Sequence, residues 1–179
     1  KKIASIKSID PNIVYSNNNS IFFYAIENND SNFVKNLLQL DHINPNIYTN
    51  HKHITPLMFS IKKMNSEIAE ILIKNPKTNI NYRNHHKKTA LVMAVKRNLC
   101  DIIDMLILSK KFNRRESNIK LAFTISNTET LKHLVKVKSL DVNILINNKT
   151  TKLIEATKKQ DLEMIDLIIN HRSFDKNQS

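Results

Sequence analysis

Five segments of this 179-residue chain repeat one pattern: "SIFFYAIENN" from Ser20, "TPLMFSIKKM" from Thr55, "TALVMAVKRN" from Thr89, "IKLAFTISNT" from Ile119 and "TKLIEATKKQ" from Thr151. Their starts lie 35, 34, 30 and 32 residues apart, the period of stacked two-helix units. A second apolar block follows most of them. The sets are Phe33, Val34, Leu37 and Leu38; Ile68, Ala69, Leu72 and Ile73; Ile102, Ile103, Leu106 and Ile107; and Met164, Ile165, Ile168 and Ile169. Each falls at i, i+1, i+4, i+5, which is one face of a helix. Two short helices cannot bury both apolar faces alone, so the units must stack.

The first block of each unit is helical too. Leu57, Ser60, Ile61 and Met64 keep the i, i+3, i+4, i+7 spacing, as do Leu91, Ala94, Val95 and Asn98. Thr55 and Thr89 stand where an N-cap hydroxyl accepts a backbone N–H, and Pro56 stands at the first helical position, where its missing N–H costs nothing. Polar stretches such as "NPNIYTNHKHI" and "NINYRNHHKK" separate the units. The reading is helix, tight turn, helix, polar loop.

"TPLMFS" and "TALVMA" resemble the Thr-Pro-Leu-His-x-Ala signature of ankyrin repeats. "DPN" (10–12), "NPN" (44–46), "NIN" (79–81) and "DVN" (141–143) resemble the Asp-x-Asn that opens the family's loops. The resemblance covers nearly the whole chain. It implies an all-α solenoid, right-handed and gently curved, with about five helix-turn-helix units and short hairpin-like loops projecting from one edge. A single domain over 1–179 is expected, with "KKIASIKSI" as the tail of a preceding helix and "NHRSFDKNQS" as the loop of a further unit, as in a piece of a longer array. The sequence also departs from the family. Met58, Val92 and Ile154 replace the signature histidine, and Asn29, Met64, Asn98 and Gln160 replace the glycine between the helices. The fourth unit starts without Thr-Pro and keeps only Leu131, Leu134 and Val135 in rough register, so it is expected to be the distorted, least stable one.

Charge supplies the functional expectation. The net charge is +12, which favours acidic partners. Near the end of each first helix comes a pair of residues: Glu27–Asn28, Lys62–Lys63, Lys96–Arg97, Ser126–Asn127 and Lys158–Lys159. Three of these five are doubly basic. The resemblance places this address, with the loop tips, on a concave groove where partners bind. The tips carry Lys52 and His53, His85, His86, Lys87 and Lys88, Arg114 and Arg115, and Lys149. Acidic residues gather instead on second helices, at Glu67, Glu70, Asp101, Asp104, Asp161, Glu163 and Asp166. A basic groove and a more acidic back follow. The expected partner is a protein, through an acidic segment. Nucleic acid, an anionic membrane surface, or a spacer role without any partner are the alternatives, and solubilising lysines are the plainer account of the charge.

Other chemistry is argued against. The chain has no glycine, which phosphate-cradling loops and dinucleotide-binding turns require. His51, His53, His85 and His86 sit on adjacent tips without a cysteine or a fixed spacing, so no metal site is assigned. Cys100, the single cysteine, opens a second helix with no base at hand and reads as a packing thiol. It fits a reducing compartment, hence a cytoplasmic location, or a host cytosol for a secreted effector. Asn18, Asn29 and Asn148 match the glycosylation sequon, as chance produces in an asparagine-rich chain. Tyr48 and Tyr82 are the only loop aromatics placed to stack on bases. No catalytic residue, cofactor or transmembrane segment is expected.

Overall fold

The computed structural model describes residues 10–15, 20–146 and 150–174. The tail read over 1–9, the sequons at Asn18 and Asn148, and the loop-tip Lys149 lie outside them. Among the described residues the chain forms helices in consecutive pairs: α1 (Ile21–Glu27) and α2 (Ser31–Leu38), α3 (Pro56–Lys63) and α4 (Ser66–Lys74), α5 (Ala90–Lys96) and α6 (Cys100–Leu108), α7 (Ile119–Ile125) and α8 (Thr128–Leu134), α9 (Lys152–Lys158) and α10 (Leu162–Ile169). The two short strands β1 (Leu145–Ile146) and β2 (Thr150–Thr151) pair antiparallel ahead of α9. The result is an all-α repeat solenoid.

Local chemistry sets these boundaries. Ser20, Thr55, Thr89 and Thr151 accept a hydrogen bond from the backbone N–H three residues on, at Phe23, Met58, Val92 and Ile154. Between paired helices the chain turns through left-handed backbone at Asn29 (φ 53), Met64 (φ 62), Asn98 (φ 54) and Gln160 (φ 55). Met64 and Asn98 therefore lie beyond their helices and face solvent, correcting the i+7 core role given them by spacing. A side chain with a Cβ costs about 1–2 kcal/mol in this region, and Met64, 57% exposed, gains no packing in return. Met64→Gly is thus expected to stabilise the fold by about 1 kcal/mol, read as a Tm raised by about 2–4 °C in calorimetry. An unchanged or lowered Tm would contradict the turn geometry.

Stacking runs along two rows. First helices pack α1 on α3, α3 on α5 and α5 on α7, while second helices pack α2 on α4, α4 on α6, α6 on α8 and α8 on α10. Fully buried Phe22, Ile26, Leu57, Ile61, Ile68, Leu72, Leu91, Ile102, Ile103, Leu106 and Phe123 form one continuous core between the rows. Along the loop edge, asparagine amides bridge successive units. Asn12 Nδ2 donates to the His42 carbonyl while Asn12 Oδ1 accepts from the Asn44 N–H. Asn46 does the same to Lys77 and Asn79, and Asn81 to Lys111 and Asn113. Each side chain satisfies one donor and one acceptor of the next loop, which core packing cannot do.

The fourth unit breaks this regularity. Burial aligns Ala122 and Phe123 with Ala94 and Val95, and Thr130, Leu131 and Leu134 with Ile102, Ile103 and Leu106. The shift is twenty-eight positions throughout (94 to 122, 102 to 130), so Ser117, buried and accepting the Thr89 hydroxyl at its carbonyl, matches Thr89. The match of "IKLAF" to "TPLMF" was two residues out of register. The counterparts of Lys96 and Arg97 are Thr124 and Ile125, not Ser126 and Asn127. The loop before α7 keeps its own register. Asn46 and Asn81 stand two residues after Asn44 and Asn79, whose N–H groups the previous asparagine binds, and Asn113 is bound in the same way. Arg115 therefore stands where the next bridging asparagine belongs, and among the described residues its side chain makes no such bridge.

The fifth unit is consequently attached mostly through its second helix. α9 packs on α10 and β2, and an open cleft of ≈ 310 Å³ lined by Thr124, Ile154 and Lys158 lies beside it. Lys152, in the Pro56 position, is 3% exposed. Its ammonium donates to the Thr124 carbonyl at 3.0 Å and lies 3.4 Å from Glu155; burial pushes its pKa down.

Candidate functional site

The ends of α3 and α5 and the loops ahead of α3 and α5 meet α7 around a groove of ≈ 1020 Å³. Its wall carries Lys52, Lys62, His86, Lys88, Lys96 and Arg97, six of the residues expected to bind a partner, and no carboxylate lines it. Its floor is apolar, from Ile54, Val92, Met93, Val95, Leu121 and Ile125, with Asn84, Asn98 and Asn127 between.

The loop residues reach the groove because their turns are fixed locally. His53 (φ 49) and Lys87 (φ 55) each close a tight turn in left-handed backbone. The Asn84 side chain accepts from the backbone N–H groups of His86 and Lys88, and the Asn84 N–H donates to the Lys88 carbonyl. On the helices, Lys62 and Lys63 lie near the Phe59 ring, 5.9 and 5.3 Å from its centroid, a cation–π contact.

The remaining expected residues lie elsewhere. Lys63 pairs with Glu27 at 2.5 Å and Lys159 with Glu155 at 2.7 Å; Lys158 lines the cleft beside α9. Arg114 and Arg115 are exposed on the loop before α7, and Lys87 on the loop before α5, outside the groove lining. His53 and His85 belong to a row of rings at the loop tips. Tyr48 stacks on Tyr82 (5.9 Å, 19°) and abuts His53 (4.7 Å), while His85 meets both His53 (5.9 Å) and His86 (5.8 Å) edge-on. Tyr48 thus meets ring neighbours in both Tyr82 and His53, which leaves it poorly placed to stack on a base. No group of three or more His, Cys, Asp or Glu able to hold a metal occurs among the described residues. Burial, with the carboxylates of Glu129, Asp101 and Asp104 nearby, pushes the Cys100 thiol up, opposite to the activation a nucleophile needs.

Electrostatic partners separate the two faces. On the second helices Lys35 pairs with Glu67 of the next unit, Lys74 with Glu70, Lys132 with Glu129 and Glu163, and Lys136 with Asp104. The Lys77 and Lys111 ammonium groups donate to the carbonyls of Asp41 and Asn75 in the preceding unit. These cations are occupied in holding the array together. Among the described residues, Lys52, Lys62, Lys88, Lys96 and Arg97 form no ion pair. Like charges held together without counter-charge cost free energy that a negative ligand relieves. Lys62, Lys63, Lys96 and Lys158 also fall in last helical turns, where a cation complements the dipole. That accounts for helix residues but not for Lys52, His86 and Lys88 converging from the loops. Sequence reasoning missed the apolar floor, whose signal was faint: Met93 and Leu121 fall inside the repeated segments with no role of their own, and both are only partly buried.

A family model described as ankyrin repeats, three copies, matches residues 22–119. The match ends where the fourth unit opens α7. No curated protein matches the chain.

Proposed function

The chain belongs to the ankyrin repeat family, generally protein–protein interaction modules, and from that premise we propose that it is a non-catalytic module gripping an acidic polypeptide segment. The supporting observation is the groove in which Lys52, Lys62, His86, Lys88, Lys96 and Arg97 converge with no lining carboxylate. Lys62, Lys96 and Arg97 hold the segment from the helix ends, and Lys52 and Lys88 from the loops. His53, His85, Lys87, Arg114 and Arg115 flank it on the loop edge; Lys63, Lys158 and Lys159 contribute only at longer range. The five units act as a single domain, in a cytoplasmic setting that suits an unpaired thiol.

Titration of a fluorescein-labelled glutamate-rich peptide, followed by anisotropy at low and physiological ionic strength, tests this reading. The variant combining Lys62→Glu, Lys96→Glu and Arg97→Glu is expected to lose at least about tenfold in affinity, with circular dichroism unchanged. Lys63 is left intact, since a glutamate there would face Glu27. Equal affinity of variant and wild type overturns the proposal. So does tighter binding of a single-stranded oligonucleotide or of anionic vesicles with a steep salt slope.

A further inference from the structure

The groove is not uniformly basic, and we propose that its partner segment carries an apolar anchor beside its carboxylates, in a fixed order along the array. This rests on the acidic-segment reading above and deepens it. The cationic row of helix ends runs from Lys62 on α3 to Lys96 and Arg97 at the end of α5, and α7 interrupts it before Lys158 on α9. The matching addresses on α7 are Thr124 and Ile125. Ile125 is 41% exposed and lines the same groove as Met93 and Leu121.

Packing within α7 does not require this isoleucine, because the buried residues of the helix are Ala122 and Phe123. An exposed β-branched aliphatic side chain at an address that neighbouring units give to a cation presents apolar surface inside a charged channel. Met93 and Leu121, only partly buried, extend it into a shallow seat. A phosphate backbone gains nothing from such a seat, whereas an aliphatic or aromatic side chain removes its area and its own from water. The occupant that fits both halves is a polypeptide with acidic residues at one end and a large apolar residue at the other.

The spacing follows from the stack. α3, α5 and α7 pack side by side, and packed helix axes lie about 8–10 Å apart. An extended chain advances ~3.3 Å per residue. One unit of the array therefore corresponds to about three residues of an extended partner. The segment should present a carboxylate over Lys62, a second three residues on over Lys96 and Arg97, and an apolar side chain three further over Ile125.

Three capped peptides test this: Glu-x-x-Glu-x-x-Leu, its analogue with Ser for Leu, and a permutation with Leu between the glutamates, all with small polar spacers. Wild type is expected to bind the first about tenfold or more tighter than the other two. In Ile125→Ser that preference collapses, while binding of the Ser peptide and the Tm stay close to wild type. Equal affinity of the Leu and Ser peptides for wild type overturns the anchor, as does a preference that survives in Ile125→Ser or no binding of any peptide. If the peptides bind equally and the triple charge reversal abolishes both, the anchor falls while the basic groove stands. If the charge reversal changes nothing, the acidic-segment reading fails and the anchored form with it.

Discussion

Phe123→Ala is expected to cost about 3–5 kcal/mol. The ring is fully buried on a helix with little else to hold it. α7 has seven residues, opens on Asn118 in left-handed backbone, and has no side-chain cap hydrogen bond. A helix so short does not persist by propensity, so Ala122 and Phe123 carry its stability through packing on α5. Removing the ring leaves a cavity and frees α7 to fray, which also dismantles the Leu121–Ile125 end of the groove. Urea unfolding followed by circular dichroism measures the loss. A change below about 1 kcal/mol would mean that α7 is not held by its core face.

Asn81→Ala is expected to cost about 2–4 kcal/mol through hydrogen bonding alone. The side chain, 9% exposed, donates to the Lys111 carbonyl at 2.7 Å and accepts from the Asn113 N–H at 3.0 Å. Alanine removes little apolar contact but strands one donor and one acceptor of the following loop, each costing about 1–3 kcal/mol when left unpaired out of water. Asn81→Asp separates the two contributions. It keeps the acceptor toward Asn113 but sets a carboxylate against the Lys111 carbonyl, so it should not recover wild-type stability. Hydrogen exchange at the Asn113 amide gives the local readout: fast in the alanine variant, protected in wild type.

Much of this architecture is legible in the sequence because it rests on local chemistry. Thr55 and Thr89 cap where hydroxyls must, and Asn29 and Asn98 turn where glycine is absent. The i, i+1, i+4, i+5 sets of the second helices face the core as their spacing implies, although Phe33, Leu38, Ile107 and Ile165 are only partly buried and Ile169 is exposed. The fourth unit was misread because Leu121 imitates the signature leucine two residues out of register, and only burial distinguishes it. The charge pattern shows the same limit. Counting lysines marks the groove and the back alike, while the distinction lies in pairing: Lys35, Lys132 and Lys136 meet carboxylates of neighbouring units, and Lys62 and Lys96 do not. Partner cations and stapling cations are the same residue type, so their roles separate only in three dimensions. Buried Lys152 had no signal beyond its place at the Pro56 address.

Arg115, standing where the amide bridge would continue, gives the array a mechanical character. A stack whose every interface carried the same bonds would have no preferred place to yield under tension. Here the loop before α7 offers no such bridge to the loop after α8, although Asn143 and Arg172 tie that later loop to the residues after α10. α9 reaches α7 through the Lys152–Thr124 hydrogen bond while packing mainly on α10 and β2. Across that step the array relies on side-chain bonds between second helices, the Lys132–Glu163 pair and the Thr128–Asp161 hydrogen bond, rather than on an amide staple between loops. Under tension such a step would hold by its helices while its loop edge opened, leaving the stretch that carries Lys62, Lys96 and Ile125 in shape.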